Sequence, residues 1–339
     1  MRYFIIIIIT VCFTYIPVNS FSSELFTKIA PEIRYINGDS TYHVSFDNPW
    51  ADGGHCESEL EWPIDNWFAG INLAVGTKGD SKNLNQTKGQ FNLSLLGRIS
   101  EDSGVIKDSD WIENDGTYGY PLHSGKDLYG ECEADLEEGI IFDVSYAYNF
   151  YLNKNFSIGP IIGFRYTEFK WSAWNLVQRN YGPYVADNYT DTNGWEWLRY
   201  EVSCRIPYLG INSEILFGKN DQFQLNLNLS YSNWVDVNDK DTHLYPDWDA
   251  ANPGYDYDMI SEGGSEGEAY IAKIECCWGF RSNWSLDLGG EYVDIDTEGS
   301  IRQTHYINGI FWYSPTGTIK DTRTSSYWSA ILRISYYAF

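Results

Sequence analysis

The run FQLNLNLSYS alternates strictly. Phe223, Leu225, Leu227, Leu229 and Tyr231 share one parity, and Gln224, Asn226, Asn228, Ser230 and Ser232 share the other. Successive side chains of a strand point to opposite faces, so this run predicts a strand with one apolar and one hydrogen-bonding face. In a soluble sandwich the apolar face would look inward; in a membrane barrel it faces lipid and the polar face lines the interior. FDVSYAYNFYL repeats the pattern, with Phe142, Val144, Tyr146, Tyr148 and Phe150 on one face and Asp143, Ser145 and Asn149 opposite. Short polar turns join such runs at Asn153-Lys154-Asn155, Lys219-Asn220-Asp221 and Arg281-Ser282-Asn283, whereas the intervening connections are long, acidic and aromatic. Short turns on one rim and long loops on the other are the asymmetry of outer-membrane barrels. About ten strands are predicted on this basis, near 29–46, 57–79, 86–101, 131–152, 155–175, 195–219, 221–238, 266–281, 283–301 and 323–339. The expected fold is all-β, a ten-stranded antiparallel transmembrane β-barrel with long extracellular loops. Several strands exceed the roughly 10 residues needed to cross a bilayer, so the barrel should project above the lipid. The acidic, Gly-rich stretch 247–267 reads as one loop, and 174–195 as another.

Composition sharpens this picture. Aromatics make up 17% of the chain, with 14 Trp, yet the mean hydropathy is −0.38. Many aromatics without long apolar runs suit alternating strands ringed by aromatic girdles. The start, MRYFIIIIITVCFTYIPVNS, reads as a secretory signal peptide over 1–20, leaving 21–339 as a single barrel exported from the cytoplasm. The end, SAILRISYYAF, puts Phe339 and Tyr337 on one face, as in proteins inserted into a Gram-negative outer membrane. The net charge of −24 argues against nucleic acid as a partner and favours a cationic peptide or protein. Beyond Cys12, the cysteines are Cys56, Cys132, Cys204, Cys276 and Cys277. No spacing resembles a zinc site, Cys276 and Cys277 point to opposite faces, and a loop disulfide between Cys56 and Cys132 is conceivable.

Two acidic clusters carry the candidate chemistry. Asp108 and Asp110 stand two apart in GVIKDSDWIEN, and Asp239, Asp241 and His243 in NWVDVNDKDTH. A carboxylate beside a histidine fixes the ring tautomer and favours the imidazolium, making a stronger general base. Close carboxylates repel, which raises at least one pKa and lets the pair hold and polarise water. In a ten-stranded barrel these clusters belong to walls that face each other across the mouth. One difficulty stands: Asp239, Asp241 and His243 continue the parity of Leu229 and Tyr231, the lipid side, so a bulge or twist must intervene. The bland alternative is a pair of solvated acidic loops, or an ion site.

Four segments resemble the omptins, ten-stranded outer-membrane proteases of Gram-negative bacteria. They are SELEWPIDNWFAGI (58–71), KDSDW (107–111), RIPYLGINSEI (205–215) and YSNWVDVNDKDTH (231–243), in order and in register. The resemblance implies an endopeptidase without covalent intermediate. Asp108 and Asp110 match its aspartate couple, Asp241 and His243 its Asp-His dyad, and Asp239 an acid that helps bind a basic side chain beside the scissile bond. It implies a peptide or protein substrate, outer-membrane lipid as surroundings, and lipopolysaccharide as an activator, with no metal. Two departures are visible. Tyr42 stands where the family carries a specificity glutamate, and Phe164, Tyr166 and Glu168 do not reproduce the lipopolysaccharide site. The competing function is a non-proteolytic barrel of the same fold, an adhesin, porin-like or structural protein of the cell surface. A lipase-like barrel would need a serine at the histidine.

Overall fold

The computed structural model describes residues 25–47, 55–77, 87–112, 126–181, 189–191, 194–245, 256–314 and 319–338. The expected signal peptide and the terminal Phe339 lie outside the described residues. The strands are β1 (Leu25–Asp47), β2 (His55–Pro63), β3 (Asn66–Thr77), β4 (Thr87–Arg98), β5 (Asp102–Ile112), β6 (Leu128–Asn153), β7 (Phe156–Asn180), β8 (Tyr189–Thr190), β9 (Glu196–Phe217), β10 (Phe223–Tyr245), β11 (Tyr257–Arg281), β12 (Trp284–Ile307), β13 (Ile310–Tyr313) and β14 (Ile319–Ala338).

Antiparallel pairing runs β1-β3-β4-β6-β7-β9-β10-β11-β12-β14 and returns to β1, a closed ring of ten strands. Closure leaves no unpaired edge, which is what the hydrocarbon layer requires of a β-structure. Two staves are interrupted. Higher up, β2 and β5 take over from β3 and β4, so the upper ring passes β1-β2-β5-β6. Backbone hydrogen bonds from Ile64 N to Gly38 O and from Ile99 N to Trp67 O bridge the breaks.

The outer face carries a belt of Ile71, Leu95, Ile162, Ile211, Leu229 and Leu288, all exposed. Exposed aromatics border it, Trp67, Trp328, Tyr292 and Tyr270 above, and Phe217, Trp278, Trp284 and Tyr336 below. An apolar band between aromatic girdles is the lipid contact of a transmembrane barrel.

Inside, three layers succeed one another. The floor is a charged network: Lys28 pairs with Asp287, Arg34 with Glu32 and Glu291, Arg165 with Glu291 and Asp143, and Arg333 with Glu32 and Glu275. All of these groups except Glu32 and Asp287 border a polar cavity of about 390 Å³. Above it lies a plate of packed rings. Trp62 stacks on Tyr200 with centroids 5.0 Å apart, Trp171 lies 5.8 Å from Tyr200, and Phe169 and Phe68 extend the plate. Trp62, Phe68 and Tyr200 have no accessible surface, so side chains fill the lumen at this level. Over the plate opens the mouth.

The strands reach further up than the pattern suggested. Residues 257–267, expected as loop, are part of β11, and β7 continues to Asn180 through part of the expected 174–195 loop. Above the membrane neither face meets lipid, so apolar alternation no longer marks a strand. The Cys56–Cys132 pairing is not formed: all five cysteines among the described residues are free. Cys56 stands opposite Ile112 of β5 and Cys132 opposite Ile106, too far apart along that strand for a disulfide. Cys277 is buried and Cys276 turns outward, as expected for neighbours on a strand.

Candidate active site

The parity difficulty resolves in β10. Between Ser232 and Val235 this strand advances three residues while β11 advances two, from Ala269 to Gly267. The pairing with β9 slips by the same one residue between Tyr231 and Asp236. That extra residue is a β-bulge, and one extra residue turns every later side chain to the opposite face. Below it Ser230 and Ser232 are buried while Leu229 and Tyr231 are exposed; above it Val235, Val237, Asp239, Asp241 and His243 are buried. All three candidate residues of this wall therefore point into the mouth, from within a strand and not from a loop.

Asp108 and Asp110 likewise lie inside a strand, β5, with Asp108 paired to Leu60 and Asp110 to Ser58 of β2. Ile106, two residues earlier on the same face, is buried in the core. The electrostatics tie the two walls together, since Asp108 feels both His243 and Asp241, and His243 feels both Asp108 and Asp110.

His243 is held from both sides. Its Nε2 lies 2.8 Å from Asp241 Oδ2, and its Nδ1 lies 3.3 Å from the Tyr245 hydroxyl. Burial opposes charge on the ring, yet Asp241, then Asp108 and Asp110, pull its pKa up to about 9. The Asp108 carboxyl is pushed well above the usual range by burial and by Asp110, against the pull of His243. Asp110 is also raised by burial, opposed by a hydrogen bond from Ser58. A shared proton or a bound polar group suits two such carboxyls better than two full charges. Among the described residues, Asp108 Oδ1 and Asp241 Oδ1 are buried without a hydrogen-bond partner.

Asp239 has a different setting. Arg323 of β14 donates to it twice, Nε to Oδ2 at 2.8 Å and Nη2 to Oδ1 at 2.7 Å, and the Tyr200 hydroxyl donates to Oδ2 at 3.2 Å. Arg323 also pairs with Asp321 and donates to Ser265 Oγ. Burial, Asp321 and Asp241 push the Asp239 carboxyl up to about 7 against the pull of Arg323. The guanidinium lies over the Tyr42 ring, 5.6 Å from its centroid. Sequence reasoning placed Asp239 and Tyr42 here but missed Arg323 and Tyr245. Tyr245 shares the parity of His243 and was within reach of that rule. Arg323 sits in sequence 84 positions from Asp239, with no local signal.

On the outer wall, Tyr166 donates to Glu168, and Lys170 pairs with Glu138, Glu168 and Glu201. Among the described residues, the metal-capable cluster is Glu275, Cys277 and Asp287, at the barrel floor. There Lys28 and Arg333 already sit on the two carboxylates, so we assign it no metal.

Comparison with known proteins agrees with this architecture. A model of the Omptin family matches residues 33–308. The chain is 24% identical over 239 residues to "Plasminogen activator" of Yersinia pestis, covering 68% of this chain and 69% of that protein. It is 22% identical over 210 residues to "Protease 7" of Escherichia coli K12, covering 58% of this chain and 57% of that protein. The crystal structure of the outer membrane protease OmpT from Escherichia coli superposes with a TM-score of 0.69 at 15% identity, over 95% of this chain and 99% of that one.

Proposed function

Because the chain belongs to the Omptin family, a family of outer-membrane proteases, we propose that it is an outer-membrane endopeptidase whose Asp241–His243 dyad and Asp108–Asp110 couple activate a water against a peptide bond. Family membership sets the barrel in the Gram-negative outer membrane with its mouth to the exterior. The observation that carries the mechanism is the convergence of the two walls, a buried His-carboxylate pair at 2.8 Å electrostatically coupled to a second pair of raised carboxyls.

In this reading Asp108 and Asp110 hold the water and His243 takes its proton as oxygen attacks the carbonyl carbon. Asp241 orients the ring and stabilises the imidazolium. Collapse of the tetrahedral state returns that proton from His243 to the leaving amine. The step needs no nucleophilic side chain, and among the described residues the groups that hydrogen-bond to His243 are Asp241 and Tyr245.

The test is digestion of a mixed peptide library by refolded protein, with and without lipopolysaccharide, beside Asp241→Ala and His243→Ala. Cleavage by the wild type and its loss by at least about 10²-fold in both variants is expected, with heat-modifiable gel mobility retained. Equal cleavage in either folded variant removes the assignment. Absence of cleavage in the wild type under both lipid conditions leaves a binding protein of this fold, and a gain with lipopolysaccharide identifies it as the activator.

A further inference from the structure

The acid next to the dyad is already occupied by the protein's own cation. Arg323 extends from β14 past β12 and β11 to reach Asp239 on β10, and its fork covers both carboxylate oxygens. Such a bidentate pair fixes both partners in one geometry. The remaining contacts of the guanidinium are Asp321, Ser265 and the face of Tyr42. Every group at this spot is buried: Arg323 is 3% exposed, Tyr42 2%, Tyr200 0% and Asp239 8%. The Tyr42 ring packs 6.0 Å from Tyr200, so the space beside Asp239 is filled by aromatic carbon and one guanidinium.

We propose that Arg323 is a built-in cation filling the acidic subsite beside the Asp241–His243 dyad, so that the enzyme rejects a basic side chain next to the scissile bond and cuts beside uncharged ones. This rests on the protease reading above. A substrate guanidinium or ammonium brought to this wall meets a like charge and finds Asp239 with both oxygens engaged. An uncharged side chain meets no such repulsion and lies against the filled subsite. Discrimination of this kind works by penalising the wrong ligand. The charged and titratable groups that bear on the spot are Asp239 and Asp241 from β10, Asp321 and Arg323 from β14, Tyr42 from β1 and Tyr200 from β9. Of these Arg323 is the fixed positive charge. It is a specificity residue acting through Asp239, and it touches none of the reacting atoms in the proposed mechanism.

Two measurements test it. The first compares internally quenched peptides that differ only in Arg or Leu before the scissile bond. Wild type should favour Leu at least tenfold in kcat/KM, and Arg323→Ala should move the ratio toward Arg by tenfold or more. Removing Arg323 alone strands Asp321, so Arg323→Met combined with Asp321→Asn provides a second, charge-balanced variant with the same expectation. The second measurement is independent of proteolysis: titration of refolded protein with N-ethylguanidinium, followed by tryptophan fluorescence. Arg323→Ala should bind it, wild type should not, and Asp239→Asn added to Arg323→Ala should abolish binding. Preference of the wild type for the Arg peptide overturns the proposal. So do folded variants that neither shift the ratio nor take up the guanidinium. If wild type cuts no peptide, the protease reading fails while the titration still decides whether Arg323 occupies the subsite.

Discussion

His243 gives the most direct handle at the scale of single residues. A general base must be neutral to accept a proton, and Asp241 with Asp108 and Asp110 holds this ring's pKa near 9. The rate should therefore climb with pH toward 9. Asp241→Asn removes the nearest negative charge, so the limb should move to lower pH while the plateau falls by about 10²-fold or more; a pH profile of kcat/KM for the two proteins checks both. The sign for stability follows from the same shift. A histidine whose folded pKa lies above its unfolded value of 6.5 contributes stability that is present below pH 6.5 and lost as pH rises through about 9. The raised carboxyls of Asp108 and Asp110 act in the same direction, because the fold favours their protonated forms. The midpoint of the heat-modifiable transition should accordingly be lower at pH 9 than at pH 6.5, and His243→Ala should flatten that dependence.

Among the elements, β10 is the one on which the site turns. Its bulge converts a lipid-side parity into an inward one between Tyr231 and Val235. Deleting Asn238, an exposed residue between the bulge and the dyad, should shift the later residues by one position and turn Asp239, Asp241 and His243 outward. Activity should vanish although no catalytic residue is changed, and peptide cleavage by the folded deletion variant measures it. Persistent cleavage would mean that the bulge had closed and absorbed the deletion. The lower half of this strand was legible because lipid on one side and a polar interior on the other impose strict alternation on 223–232. The upper half was not. The bulge leaves no mark in residue type, and above the membrane Gly-rich residues 257–267 pair as strand without any apolar face. The carboxylates of Asp108 and Asp110 were found from spacing and resemblance, whereas their setting inside a strand, and the Arg323 lock on Asp239, depend on contacts between strands remote in sequence.

Across the whole molecule, the buried ion network sets how firmly the floor is held. Glu291 receives Arg34 Nη1 at 2.7 Å and Arg165 Nη2 at 2.6 Å, joining β1, β7 and β12 through one carboxylate. Glu291→Ala leaves two buried guanidiniums short of a partner. Removing one member of a buried pair typically costs about 3–5 kcal/mol, so the temperature at which the barrel loses its compact gel mobility should fall well below that of wild type. The cleft lies on the far side of the ring plate, and cleavage below that temperature should persist. The plate itself has a consequence for the cell that carries such a protein. Trp62, Phe68, Trp171 and Tyr200, all fully or almost fully buried, pack the lumen between mouth and floor. A cell could therefore display many copies without adding a pore to its envelope, and under the proposed activity any fragment produced at the mouth would be left on the outer side.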